Sequence, residues 1–175
     1  WVQTHGPFGG SVMFFALSGT NVFAGTTGGG VFLSTNFGTS WTAVNTGLLN
    51  TDVYALAVKD TILFAGTGGG GVFLSTNCGT NWTSVNTGLS RLGILSLAVS
   101  GTAIFAGTDS GVYRSTNNGS SWTAVDSGLT YTFYVYALVV SGTNLFAGTA
   151  GGGVFRSTDD GMYWEPVNYG LTNRV

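Results

Sequence analysis

The chain has 175 residues, 43% of them hydrophobic, 14% aromatic and only 7% charged, with a formal net charge of -2. So few cations leave no basic stripe for phosphates or anionic lipid, which argues against nucleic acid and membrane surface as partners. No apolar run approaches the roughly 20 residues that cross a bilayer, while the apolar content suffices for a packed core under a Ser, Thr, Asn and Gly surface.

The chain opens on Trp1-Val-Gln-Thr-His5, which reads as the last strand of a unit whose beginning is missing. A start in mid-repeat, without an initiator Met or a signal-peptide pattern, leads to the expectation of a piece cut from something longer. Four similar units follow. In each, a first segment such as Val53-Tyr-Ala-Leu-Ala-Val58 or Val135-Tyr-Ala-Leu-Val-Val140 is almost continuously apolar, which predicts a strand buried on both faces. In the first unit Phe14 and Phe15 replace Ala and Leu, and are expected to help fill a tight centre.

A turn at 18–20, 59–61, 100–102 and 141–143 leads into the most constant segment, Phe23-Ala-Gly-Thr26, Phe64-Ala-Gly-Thr67, Phe105-Ala-Gly-Thr108 and Phe146-Ala-Gly-Thr149. A glycine inside a strand marks the close approach of another backbone or a large side chain. The third strands are Val31-Phe-Leu-Ser34, Val72-Phe-Leu-Ser75, Val112-Tyr-Arg-Ser115 and Val154-Phe-Arg-Ser157, and a fourth strand begins at each of Trp41, Trp82, Trp122 and Trp164. With Trp1, the tryptophans are spaced by 40, 41, 40 and 42 residues.

Four short strands per repeat of this length are the pattern of a propeller blade. The expectation is an all-β chain, a β-propeller of four-stranded antiparallel blades in one array over residues 1–175. Its repeats run approximately over 1–41, 42–82, 83–122 and 123–164, with a tail at 165–175 and one surplus N-terminal outer strand. Four complete blades are the low end of the known range, so self-association or membership of a larger propeller is expected.

Between the third and fourth strands stands one eight-residue phrase: STNFGTSW (34–41), STNCGTNW (75–82), STNNGSSW (115–122) and STDDGMYW (157–164). It reads as a hairpin lock. Ser34, Ser75, Ser115 and Ser157, with Asn36, Asn77, Asn117 and Asp159, offer acceptors to backbone N–H groups that the turn leaves unpaired. Gly38, Gly79, Gly119 and Gly161 suit a positive φ, and Trp41, Trp82, Trp122 and Trp164 bury their rings beside the hairpin. The pattern Ser-x-Asp-x-Gly-x-x-Trp resembles the BNR/Asp-box repeats of sialidases, xyloglucan-cleaving glycosidases, sortilin-type receptors and photosystem II assembly propellers. The resemblance covers nearly the whole chain and implies the propeller. It leaves activity open, because those families share the box and differ in function. Here the acid survives only as Asp159, read as structural because its equivalents are Asn.

Catalytic groups are sparse. A sialidase-like site needs converging arginines, whereas Arg114 and Arg156 occupy equivalent third-strand positions, which suggests a repeating ladder. A retaining or inverting glycosidase needs two carboxylates across a cleft. Asp52 and Asp109 are the only pair expected on one face, and turn chemistry accounts for both. His5 and Cys78 have no ligand partners at metal spacing, and the Gly runs lack the helix and Lys of a phosphate loop. No catalytic residue, metal or cofactor is therefore assigned.

Binding remains. The inter-repeat linkers and the loops after each second strand are expected on one face, which gathers Asn50, Asp52, Arg91, Leu92, Asp109, Tyr131, Phe133 and Tyr134. Tyr131, Phe133 and Tyr134 beside polar groups suit stacking on sugar rings or anchoring a protein. The expected function is a non-catalytic, secreted or cell-envelope scaffold or binding platform for glycan or protein. The alternative is a fragment of a glycoside hydrolase-related propeller using Asp52 and Asp109.

Overall fold

The computed structural model describes residues 6–7, 9–130 and 134–171. It is all-β: four four-stranded antiparallel sheets arranged as propeller-like blades, with strands paired in chain order. The first sheet contains β1 (Val12–Ser18), β2 (Asn21–Thr26), β3 (Gly30–Ser34) and β4 (Thr42–Ala43), and the second β5 (Val53–Lys59), β6 (Ile62–Thr67), β7 (Gly71–Ser75) and β8 (Thr83–Ser84). The third contains β9 (Ile94–Ser100), β10 (Ala103–Thr108), β11 (Gly111–Ser115) and β12 (Thr123–Ala124). The fourth contains β13 (Val135–Ser141), β14 (Asn144–Thr149), β15 (Gly153–Ser157) and β16 (Glu165–Pro166). The surplus N-terminal strand expected at 1–5 lies outside the described residues.

Two compact units divide the chain, Trp1–Val85 with the first two sheets and Asn86–Val175 with the last two. A lone sheet of four short strands cannot cover its own apolar face, so each unit forms its core between consecutive sheets. In the first unit Phe23 and Val31 of one sheet pack with Val53, Leu56, Leu63, Phe73 and Trp82 of the next. In the second, Ala98, Phe105 and Val112 pack with Val135, Leu138, Phe155 and Trp164. Each of the Val, Leu and Phe side chains contributes on the order of 1.5–3 kcal/mol when fully buried.

The tryptophans tie neighbouring sheets together through polar as well as apolar contact. The Trp82 indole Nε1–H donates to the Val44 carbonyl at 2.7 Å, and its backbone N–H donates to Thr46 O at 2.8 Å. Trp164 repeats the arrangement on Val125 (2.8 Å) and Ser127 (2.9 Å). An indole buried without an acceptor would lose about 1–3 kcal/mol, so the pairing fixes how each ring seats on the preceding sheet. Gly47 and Gly128 permit this approach: a Cβ at either would fall 2.3 or 2.2 Å from the Trp82 or Trp164 carbonyl oxygen.

The strand glycines meet their neighbour in the same way. A Cβ on Gly25 would lie 2.8 Å from Val53 Cγ1, and one on Gly107 would lie 2.3 Å from Ser96 Oγ and 2.7 Å from Val135 O. The close approach read from these glycines thus involves Val and Leu side chains and backbone of the next sheet's first strand, with Ser96 of its own sheet also against Gly107.

One expectation needs correction. β5 and β9 are buried along most of their length, but Met13, Phe14, Phe15 and Leu17 of β1 and Tyr136 and Val139 of β13 are exposed. Phe14 and Phe15, at 39% and 60% exposure, fill no centre. An apolar run shows that a strand tolerates cover on both faces, but a second sheet has to supply that cover.

Gly107→Ala is expected to destabilise the protein by about 1–3 kcal/mol through overpacking against backbone, measured as the midpoint shift in urea denaturation. A loss within experimental error would mean that the sheets are not in close register at this point.

Candidate functional site

The site is built from the two ends of the sheets. At one end lie the four eight-residue turns, each held by the same hydrogen bonds. The Ser34 hydroxyl donates to Asn36 Oδ1 (3.0 Å) and accepts the Gly38 N–H (2.8 Å), while Asn36 Oδ1 also accepts the Ser40 N–H (2.9 Å). Ser75 with Asn77, Ser115 with Asn117 and Ser157 with Asp159 form the same network, closed by the N–H of Asn81, Ser121 and Tyr163. Asn supplies the same acceptor as Asp without charge. At Asp159 the Tyr163 backbone N–H and the Ser157 hydroxyl hold the carboxyl below its usual 3.8.

Two residues in each turn take positive φ. The glycines lie at 82–83°, and Phe37, Cys78, Asn118 and Asp160 just before them lie at 54–58°. The fourth place in the phrase varies in chemistry but not in conformation. Asn and Asp tolerate the left-handed region, whereas Phe and Cys carry its steric cost.

At the other end, the linkers and the loops after the second strands of the first, second and fourth sheets hydrogen-bond together. Thr27 N–H donates to Ser11 O, Gly68 N–H to Asp52 O and Ala150 N–H to Tyr134 O. The constant threonine of the second strands holds these loops: the hydroxyls of Thr26, Thr67, Thr108 and Thr149 donate to the carbonyls of Gly30, Gly71, Gly111 and Gly153 at 2.9–3.0 Å. Asn45 and Asn168 brace the loops further, donating to Gly29 O and Gly152 O and accepting from Val31 N and Val154 N.

The expected site residues fall on this scaffold, divided between the units. In the first, Asn50 Oδ1 accepts the Asp52 N–H at 3.0 Å and the Asp52 side chain is exposed. In the second, Arg91, Leu92 and Tyr134 are exposed, and Asp109 is half-buried with Oδ1 inaccessible and unpartnered among the described residues. Neither unit contains both Asp52 and Asp109. Tyr131 and Phe133 lie outside the described residues.

Tyr134 stacks on Tyr136, with ring centroids 5.7 Å apart and planes 8° from parallel, and both rings are exposed. Tyr136 was not among the expected site residues, because its strand reads as buried. The signal for it is a single exchange. In the second sheet the equivalent Tyr54 is half-buried over Gly68, where a Cβ would fall 2.7 Å from the ring. In the fourth sheet that place is Ala150, whose methyl excludes the same seat and leaves Tyr136 to pair outward with Tyr134.

A groove of about 420 Å³ in the second unit is lined by residues including Arg114, Thr123, Asp126 and Met162. It holds none of the expected ligand residues. Arg114 pairs with Asp160 of the next sheet at 3.3 Å, while Arg156 pairs with Glu165 of its own sheet. The equivalent arginines therefore form no ladder, since each takes a different local acid. Among the described residues no three His, Cys, Asp or Glu side chains gather as metal ligands, and no helix is long and apolar enough to cross a membrane.

The family model described as the DUF6242 beta propeller domain matches residues 3–133 and 51–173. Among curated proteins none matches the chain. An ancestral GH74 enzyme is 28% identical over 92% of this chain, with a TM-score of 0.73, and the chain spans 25% of its length. The GH74 xyloglucanase from Xanthomonas campestris is 21% identical over 91% of the chain (TM-score 0.74), which covers 30% of that enzyme. The extracellular domain of the one-component system BT4673 from B. thetaiotaomicron is 18% identical over 94% of the chain (TM-score 0.76), which covers 23% of it. The chain thus shares a propeller fold with proteins about three to four times its length.

Phe37→Asn is expected to stabilise the protein by about 0.5–1 kcal/mol by relieving the left-handed strain, measured by thermal and urea unfolding. Asp159→Asn is expected to remove part of the acid sensitivity. Because the folded pKa is lowered, the carboxylate's stabilisation is complete above its usual value of 3.8 and is lost as pH falls through the folded value. Melting temperatures from pH 6 to 2 should show the wild type losing more than the variant on the acid side, and parallel curves would show that the turn does not sense this charge.

Proposed function

The chain belongs to the DUF6242 beta propeller domain family, and we propose that it is a non-catalytic Asp-box propeller module, extracellular or envelope-associated, that binds glycan through its linker and loop face. The observation that carries this reading is the exposed Tyr134–Tyr136 stack on a loop end braced by threonine and asparagine hydrogen bonds. A flat aromatic surface held in place covers the apolar face of a sugar ring with little entropy left to lose on binding. Arg91, Asp52 and Asp109 supply polar groups on the same class of loops. The turn networks support the Asp-box assignment, and the likeness to a xyloglucanase supports a β-linked glucan as the first ligand to try. Likeness to an extracellular domain supports the location. Self-association through blade faces belongs to the same reading.

The hydrolase alternative would use Asp52 and Asp109, and glycosidic cleavage needs its two carboxylates roughly 5–10 Å apart. Xyloglucan oligosaccharides should bind the wild type in calorimetry, and Tyr134→Ser with Tyr136→Ser should weaken binding at least tenfold while leaving the melting temperature within about 2 °C, as expected for exposed sites. Unchanged binding in the double variant would remove the aromatic pair from the site. Release of reducing sugar that disappears in Asp52→Asn would replace the binding reading with the hydrolase alternative.

A further inference from the structure

The groove of the second unit runs along the free edge of the third sheet, and the fourth sheet carries the same edge in a closed form. β12 ends its sheet with Thr123 and Ala124 exposed, and the consecutive residues from Thr123 to Ser127 line the groove together with Arg114 and Met162. Because the Val125 N–H donates to Val112 O at 2.8 Å, the preceding N–H, that of Ala124, points away from β11 to the open side. By register Arg114 faces Thr123 and Tyr113 faces Ala124, whereas in the fourth sheet Arg156 faces Glu165 and Phe155 faces Pro166. Glu165 fills the Arg156 fork, accepting from Nε at 3.1 Å and from Nη2, and Pro166 has no N–H to offer an incoming strand. The third sheet has neither stopper. Arg114 meets Asp160 through Nη2 at 3.3 Å, and its Nε–H is buried without an acceptor among the described residues. The first and second sheets also have open edges, at Thr42–Ala43 and Thr83–Ser84, but Leu33 and Leu74 stand where the arginine would be. Among the four sheets, an arginine and an open edge coincide in the third.

We infer that this edge is a docking site for an extended peptide carrying a glutamate or aspartate, which lies alongside β12 as an added strand. The peptide backbone pairs with the outward N–H and carbonyl of Ala124. Its carboxylate reaches over the short Thr123 side chain to the Arg114 guanidinium, giving that fork the anionic partner that Glu165 gives to Arg156. An outward backbone N–H beside the arginine favours a peptide over an acidic glycan, which has no strand to add. Asp126 in the same groove and Asp160 beside Arg114 repel further negative charge, so the fitting segment has one acid among uncharged or basic neighbours. Every residue of the site belongs to the second unit. The inference goes beyond the glycan reading, which rests on different residues.

Titration of the isotope-labelled chain with the blocked peptide acetyl-Thr-Val-Glu-Val-Thr-amide, followed by nuclear magnetic resonance, tests it. Saturable binding that moves the Ala124 amide signal is expected. Replacing the peptide's Glu by Gln, or the protein's Arg114→Leu, Thr123→Glu or Ala124→Pro, is each expected to weaken binding roughly tenfold or more. The three variants install what other sheets of this chain carry at the same place, Leu33, Glu165 and Pro166, so their melting temperatures are expected to stay near that of the wild type. Should one of them fail to fold, the Glu and Gln peptides compared on the wild type read the charge and Ala124→Pro or the Ala124 amide signal reads the edge. No binding at millimolar peptide, or binding indifferent to the carboxylate or to Ala124→Pro, would overturn the inference. Trigalacturonate binding more tightly than the peptide, with Ala124→Pro without effect, would also overturn it and assign the groove to an acidic glycan.

Discussion

The meeting of one sheet with the next is the interaction on which the remainder of this structure rests. Each sheet is one layer of four short strands, and its apolar side chains gain nothing from burial until a second sheet covers them. The chain solves this with a repeated fit: valine and leucine from one first strand over a glycine of the preceding second strand, and an indole whose ring and backbone N–H both reach carbonyls of the preceding sheet. Apolar contact supplies most of the free energy, while the tryptophan hydrogen bonds set the register. The fit is not made over β1, whose Phe15 and Leu17 are exposed.

The two ends of the sheets follow different rules. At the turn end, side chains replace the missing backbone partners. Ser and Asx accept N–H groups from within the same eight residues, so each turn is locally satisfied and tolerates Phe37, Cys78, Asn118 or Asp160 in its variable place. At the loop end, a buried threonine and a bracing asparagine hold the backbone, which frees the surrounding positions to vary. Variation confined to a rigid frame is how a repeated fold acquires a site without losing stability. The Tyr134–Tyr136 pair shows the mechanism at the smallest scale, where one methyl group at Ala150 decides whether a tyrosine covers glycine or faces solvent.

Legibility in the sequence tracked how local each feature is. Strand order and the strand glycines were readable because the repeat prints them four times, and the turn phrase was readable because its partners lie within eight residues. Tyr136 was missed because its strand reads as continuously apolar, and only comparison of Gly68 with Ala150 in space explains its exposure. The arginine ladder was misread for a related reason: identical strand positions do not imply identical partners when Arg114 meets an acid of the next sheet and Arg156 one of its own. The Asp52 and Asp109 pair rests on loop position alone, one residue in each compact unit.

By itself, then, the sequence determined a fourfold array of four-stranded sheets with locked turns, because strand period, turn chemistry and local hydrogen bonds act over a few residues. Only the tertiary structure decided which apolar strands are covered, which tyrosines stand free and which charges meet. Those outcomes depend on a neighbouring sheet forty residues away supplying, or failing to supply, the opposing surface.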